Sequence, residues 1–228
     1  MRLNQYLSKC GISSRRKADE LILAKRITVN GVIINSLGEK INPAQDKVTV
    51  NGKEIFPKQK IYLLVNKPKG VTCSREDRFA KITINQILPK KFSSLFTIGR
   101  LDKDSEGLII LTNDGELCYK ITHPKFAIEK EYQVIIDKPF NPEHKAKMLR
   151  GIKLENDYLK FKSLTANKTN LKIILSEGKK REIRRLLGYF GYKTIELKRL
   201  RIGKLLIGNL ASGKYLIISE EIIKKIFK

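Results

Sequence analysis

Apolar positions along the chain follow two different rhythms, and the change between them falls near residue 57. In the first stretch Ala18, Leu21 and Ile22 recur at helical spacing behind Ser13 and Ser14. Either serine can cap a helix start, so the pattern predicts a helix to about residue 26. Two near-repeats follow, Thr28-Val29-Asn30-Gly31 and Thr49-Val50-Asn51-Gly52. Each sets Asn-Gly behind a β-branched run, which signals a tight hairpin turn. Residues 53–60 then read as a connection. The expected division is a domain over 1–57, a linker over 58–60 and a second domain over 61–228.

In the second domain the runs 61–65, 95–98, 107–111, 131–136 and 171–175 predict strands. Asn141-Pro142 opens a helix to about residue 149, because proline is tolerated in the first helical turn. Residues 180–190 predict a helix with Ile183, Leu186, Leu187 and Phe190 on one face, and residues 219–228 a terminal one. Strands and helices do not alternate with the regularity of a parallel α/β protein. The expected class is α+β: a small N-terminal α/β module, then a mixed, mainly antiparallel sheet flanked by helices.

Composition narrows the chemistry. Apolar residues make up 41% of the chain, enough for a core. No run approaches the roughly 18 apolar residues of a membrane span, so no membrane partner is expected. The first residues lack an apolar signal-peptide core, and Cys10, Cys73 and Cys118 stand far apart. Reduced thiols in a cytoplasmic protein, with no metal, are the expectation.

Charge changes the picture most. Lys and Arg number 47 against 23 Asp and Glu, a formal net charge of +24. So much positive charge repels itself unless a polyanion is the usual partner, and phosphate backbones fit because each contact releases condensed counterions. A lysine-rich proteome could also produce the excess. Clustering favours the partner, since residues 177–204 hold ten basic and three acidic side chains. Arg15, Arg16 and Lys17 crowd a helix N-terminus, where the dipole disfavours cations by about a few tenths of a kcal/mol. That placement makes sense if they meet phosphates.

Several catalytic signatures are missing: a phosphate loop ending in Lys-Ser/Thr, a dinucleotide fingerprint, a nucleophile elbow and a zinc cluster. An enzyme with this sequence is expected to need no cofactor. The densest constellation is Gly99-Arg100-Leu101-Asp102-Lys103-Asp104-Ser105-Glu106-Gly107, leading into Leu108-Ile109-Ile110-Leu111. On spacing alone it reads as a charged turn in which Asp102 or Asp104 bonds nearby backbone, or less well as a divalent-metal loop.

The same segment closely resembles the catalytic motif of the RsuA/RluB-type pseudouridine synthases, Gly-Arg-Leu-Asp followed by a short variable stretch, Gly and an apolar run. Other marks stand in order. Asn66-Lys67-Pro68-Lys69-Gly70 resembles the opening motif of that catalytic domain. His123-Pro124 and Glu129-Lys130-Glu131-Tyr132 resemble the segment that places an aromatic ring near the target base. Glu177-Gly178-Lys179-Lys180-Arg181-Glu182-Ile183-Arg184-Arg185 resembles the motif whose arginine pairs with the catalytic carboxylate, with Lys179-Lys180-Arg181 where relatives often carry Arg-Asn-Arg. At the other end Arg2-Leu3-Asn4-Gln5-Tyr6-Leu7, Ser13-Ser14-Arg15-Arg16-Lys17-Ala18 and Arg26-Ile27-Thr28-Val29-Asn30-Gly31 resemble the S-four-like RNA-binding domain.

The resemblance implies a monomeric enzyme that isomerises uridine to pseudouridine in folded ribosomal RNA or a pre-ribosomal particle. The serine-arginine segment of the N-terminal module favours 23S over 16S rRNA. Asp102 inherits the catalytic role. An ionised carboxylate serves such chemistry as nucleophile or base, and Arg184 beside it would hold it charged. Without the resemblance Arg184 could equally be a phosphate contact, and Tyr132 either a core residue or a ring stacked on an extruded base. Arg100, Lys67, Lys130, Arg181 and Arg185, with Arg15, Arg16 and Lys17, are the expected RNA contacts, gripping phosphates while the uridine is flipped. A transfer-RNA enzyme and a non-catalytic ribosome-assembly factor are the competing readings.

Overall fold

A computed structural model describes residues 1–74 and 81–227, and among these the chain divides into two units. One comprises Met1–Lys60 with Asn113–Gly115, the other Ile61–Thr112 with Glu116–Lys228.

The N-terminal unit carries α1 (Leu3–Lys9) and α2 (Arg15–Leu23), then β1 (Ile27–Val29), β2 (Val32–Ile34), β3 (Val48–Val50) and β4 (Lys53–Glu54), joined in the sheet order β2-β1-β3-β4. Ser14 caps α2, its side chain accepting the Lys17 N–H. The helix stops at Leu23, short of residue 26, because Lys25 turns into the left-handed region at φ 55° and the Arg26 N–H closes back on the Leu21 carbonyl. Ala18 and Ile22 join Leu3, Tyr6, Leu7, Ile27 and Val48 in a small core. Both Asn-Gly pairs form hairpin turns: Asn30 and Gly31, and likewise Asn51 and Gly52, all have positive φ, which a type I′ turn demands.

The larger unit begins with β5 (Tyr62–Lys67), β6 (Phe96–Ile98), β7 (Glu106–Thr112), α3 (Gly115–Thr122) and β8 (Lys130–Ile136). Then come α4 (Glu143–Arg150), β9 (Ile152–Leu154), β10 (Asp157–Leu159), β11 (Ser163–Asn167) and β12 (Asn170–Leu175). The chain ends with α5 (Glu182–Tyr189), β13 (Thr194–Ile202), β14 (Leu205–Leu206), β15 (Tyr215–Ile217) and α6 (Glu220–Lys224). The main sheet has the order β11-β12-β8-β13-β7-β5-β15, with β14 beside β13 and β6 beside β7. Every pairing is antiparallel except β13 with β7. The class is therefore α+β, a mixed and mostly antiparallel sheet with flanking helices.

Burial follows the pattern of side chains. The continuous apolar runs of β5 and β7 lie where both faces of the sheet are covered, so successive residues enter different cores. Leu63, Val65, Ile109 and Leu111 join the core that includes Val134, Leu186 and Leu187 of β8 and α5. Tyr62, Leu64, Leu108 and Ile110 join the one built with Leu117, Ile121, Ile223 and Ile226. Toward the other edge β12 alternates buried and exposed positions, as a strand with one solvated face should. The expected helix at 180–190 starts two residues later, at Glu182, with Ile183, Leu186 and Leu187 facing the core and Phe190 packed at its margin.

β13 is the longest strand among the described residues and was not predicted. It lies parallel to β7 over two registered pairs, Lys198 with Glu106 and Arg199 with Gly107. The approach is so close that a β-carbon on Gly107 would lie 2.3 Å from the Arg199 carbonyl oxygen and 2.6 Å from its nitrogen. Gly107 also has φ 107°, outside the range side-chain-bearing residues favour. Backbone on both sides leaves no room to yield. Gly107→Ala is expected to destabilise the unit by about 3 kcal/mol or more. Urea unfolding followed by circular dichroism checks it, and a midpoint equal to that of the unchanged chain contradicts this account of the strand crossing.

Candidate active site

Between β6 and β7 the chain makes a loop whose backbone is held from several directions. The Ser105 N–H bonds the Asp102 carbonyl, the Gly70 N–H bonds the Lys103 carbonyl at 2.7 Å, and the Leu101 N–H points at Cys73 Sγ. The Asn66-Lys67-Pro68-Lys69-Gly70 segment thus braces the loop from the end of β5. Beneath it opens a cleft of about 640 Å³ lined by Cys73, Arg100, Leu101, Asp102, Lys103, Lys130, Tyr132, Lys180, Arg181, Glu182, Arg184 and Arg199. Three motifs separated in the chain converge there because β13 lies between β7 and β8 and α5 leads directly into β13.

The carboxylates divide the work. Asp104 accepts two hydrogen bonds from Arg181, at 3.1 and 3.2 Å, and lies 3.4 Å from Arg184 Nε. Partial burial works against its ionisation, but the Arg181 hydrogen bonds and the two guanidinium charges outweigh it and hold the carboxyl below its ordinary range. Asp102 is the freer of the two. The two side chains are similarly exposed, but among the described residues the ion pair of Asp102 is a single one, with Arg181 at 3.9 Å. Arg181 sits at the N-cap of α5 with φ 50°, a left-handed conformation costing about 1 kcal/mol or more that directs its side chain at both aspartates.

The expected partnership of Asp102 with Arg184 takes another form. Arg184 Nη2 donates to the Asp104 backbone carbonyl at 3.0 Å and Nη1 to the Thr194 carbonyl at 3.1 Å. It therefore staples the loop to the start of β13, and the guanidinium that faces Asp102 belongs to Arg181. The physical reason is reach: the first turn of α5 presents Arg184 to the loop backbone, whereas the turn before it presents Arg181 to the carboxylates.

Other expected residues fall into separate groups. Tyr132 lines the cleft and also belongs to the main core, with 6% exposure. Arg100 is exposed at the rim, and Arg15, Arg16 and Lys17 are exposed on the N-terminal unit. Lys67 needs correcting as an RNA contact: it is 0% exposed, its ammonium donates to the Pro68 carbonyl at 2.9 Å, and a phosphate has no path to it. Burial lowers its pKa, an effect opposed by the charges of Cys73, Asp104 and Asp102. Arg185 also lies outside the cleft lining, bonded to Asp157 at 2.6 Å, to Glu155 and to the Leu154 carbonyl, so it fastens the β9–β10 hairpin to α5.

Two further groups shape the cleft floor without having been singled out. Glu182 is buried and accepts the Lys179 N–H at 2.9 Å, closing the turn before α5. Burial raises its pKa. Arg199 is 3% exposed, and its Nε donates to the Leu108 carbonyl at 2.7 Å. Its position opposite Tyr132 across β8 and β13 was the available signal, hidden because an arginine in a run so rich in cations reads as solvated.

Lys130 carries the largest resolved shift in the cleft. Burial, reinforced by the Arg199 charge, pushes its ammonium down to about 8 from 10.5. Above about pH 8 the folded chain has given up a proton that the unfolded chain keeps until about pH 10.5, so stability from this group rises across that window. Below it the burial penalty is constant. Unfolding free energies at pH 7.5 and 9.5 should therefore show the unchanged chain gaining on Lys130→Met as pH rises; a difference that stays flat contradicts the burial of this amine.

Comparison with known proteins accords with this geometry. The family model described as RNA pseudouridylate synthase matches residues 61–188, and the S4 domain model matches residues 1–48. An RNA pseudouridine synthase of Aquifex aeolicus is 37% identical, covering 100% of this chain and 94% of its own. Ribosomal large subunit pseudouridine synthase B of Bacillus subtilis is 33% identical, covering 93% and 89%. A crystal structure of a pseudouridylate synthase superimposes with a TM-score of 0.72 at 28% identity over 99% of both chains. The chain belongs to the RNA pseudouridylate synthase family and carries an S4 domain ahead of its catalytic domain.

Proposed function

We propose that this RNA pseudouridine synthase modifies a uridine of 23S ribosomal RNA in the cytoplasm, acting as a monomer with Asp102 as its catalytic carboxylate. The observation that carries the reading is the contrast between the two aspartates. Asp104 is engaged by Arg181 and Arg184 and lies outside the cleft lining, whereas Asp102 lines the cleft with one guanidinium 3.9 Å away among the described residues. A carboxylate that lines a cleft and stays open to a substrate suits a nucleophile or base.

The remaining roles follow from position. Tyr132 presents an aromatic ring at the floor, against which an extruded uracil can pack. Arg184 positions the loop by holding the backbone at Asp104. Arg100, Lys130 and Arg181 meet the flipped nucleotide and its phosphates at the cleft. Arg15, Arg16 and Lys17 offer a second, exposed cationic surface on the S4 domain, so binding at one surface raises the effective concentration at the other. Flipping a base costs about a few kcal/mol, which phosphate contacts offset. The choice of the large subunit draws on the name of the Bacillus subtilis relative and on the serine-arginine segment at residues 13–16.

The test uses ribosomal RNA transcribed without pseudouridine, incubated with the protein or with Asp102→Asn and mapped by carbodiimide modification and primer extension. One new stop in 23S rRNA with the unchanged protein, and none with the variant, is the expected result. A stop confined to 16S or transfer RNA overturns the substrate. Full activity in Asp102→Asn overturns the catalytic assignment.

A further inference from the structure

Arg199 is an unusual charge in this molecule. At 3% exposure it is among the most deeply buried of the chain's cations, yet no carboxylate pairs with it among the described residues. A bond from Nε to the Leu108 carbonyl orients it, and among the described residues Nη2 has no hydrogen-bond partner. A guanidinium cannot shed its proton near neutral pH, so burial without a partner is a standing cost. Folds keep such a group where a ligand supplies the missing charge. Arg199 lines the same cleft as Asp102, across the sheet from Tyr132.

We propose that Arg199 is a catalytic residue whose guanidinium receives the negative charge that develops on the uracil ring. The inference rests on the reading of the Asp102 cleft as the active site. Attack of the Asp102 carboxylate at C1′ breaks the N1–C1′ bond and leaves its electron pair on the ring, with charge shared by N1, O2 and O4. Attack at C6 of the base instead pushes the electron pair of the C5–C6 double bond to O4, and the N1–C1′ bond then breaks with its pair left on N1, freeing C1′ for C5. On either route one negative charge passes from the carboxylate to the ring. When C5 bonds to C1′ the carboxylate is released, the C5 proton departs to a base and N1 takes one from water. The isomerisation then closes without oxidant or reductant. Arg199 transfers no proton; its guanidinium donates a hydrogen bond to a ring oxygen as that oxygen becomes anionic.

Location favours the ring over a phosphate. The cations Arg100, Lys103, Lys180 and Arg181 are exposed in the cleft lining, open to phosphates from solvent. Arg199 lies at the floor beside Tyr132, reached only by a group inserted into the cleft. A flipped uracil is such a group. An interaction made to charge that appears during reaction should lower the chemical rate and leave RNA binding nearly unchanged.

The experiment compares Arg199→Met, neutral and similar in length, with Arg199→Lys, shorter but charged, and with Asp102→Asn. Single-turnover rates on pseudouridine-free ribosomal RNA are measured beside RNA affinity and melting temperature. Arg199→Met is expected to react about 100-fold more slowly, bind RNA within about 3-fold and melt within a few degrees of the unchanged protein. Arg199→Lys is expected to recover at least about 10-fold of that rate. Equal rates for the Met and Lys variants, or a Met variant within about 5-fold of the unchanged protein, overturn the proposal. A Met variant that melts far lower assigns the guanidinium to holding β7 and β13 together and overturns it as well. If Asp102→Asn reacts normally, the cleft itself is misassigned, whatever Arg199 does.

Discussion

The close parallel approach of β13 to β7 at Gly107 is the constraint from which the catalytic unit takes its form. In an otherwise antiparallel sheet this one pairing spans two residues and exists because position 107 carries no side chain. It sets the end of the Asp102 loop beside the strand that follows α5, so carboxylates and arginines from distant parts of the chain meet. It also brings the Arg199 backbone against β7, which puts Nε within reach of the Leu108 carbonyl. The glycine after the Gly-Arg-Leu-Asp stretch thus does steric work for a neighbouring strand, a role the motif alone does not disclose.

Much of this architecture was readable from side-chain pattern, and the failures have a common physical cause. The runs at β5 and β7 announced themselves as unbroken apolar stretches, and the Asn-Gly pairs forecast two hairpin turns because few other dipeptides accept positive φ twice in succession. α5 was visible through Ile183, Leu186 and Leu187. β13 was not, because Thr-Ile-Glu-Leu-Lys-Arg-Leu-Arg-Ile places cations where a half-buried strand would place apolar groups. Its burial is decided by what lies across it, Tyr132 on one side and Gly107 on the other, and tertiary neighbours do not appear in a local window.

The site was legible in part and for a similar reason. Spacing alone left Asp102 and Asp104 indistinguishable, and family resemblance separated them; the structure adds a physical difference, that two arginines engage Asp104. The pairing of Arg184 shifted by two residues on the acidic side because backbone carbonyls, which no sequence pattern displays, compete successfully for its guanidinium. Lys67 failed as an RNA contact on burial, since a strand with both faces covered leaves its last residue no route to solvent. Charge counting treats every lysine and arginine as equivalent. Desolvation does not.

That distinction sorts the cations of the cleft by function. Those at the rim keep their water and can exchange it for phosphate at small cost, which favours affinity that weakens with salt. Those below have already lost their water when the protein folds: Lys130 has its proton loosened, and Arg199 holds one donor unsatisfied. The folded state bears their desolvation before any RNA arrives, so the binding step need not. An electric field fixed in this way acts most strongly on charge that appears within the cleft, because little water remains there to screen it. The uridine enters neutral and becomes anionic only during reaction. On the role proposed for Arg199, a buried cation thus distinguishes ground state from transition state, which an exposed one does not.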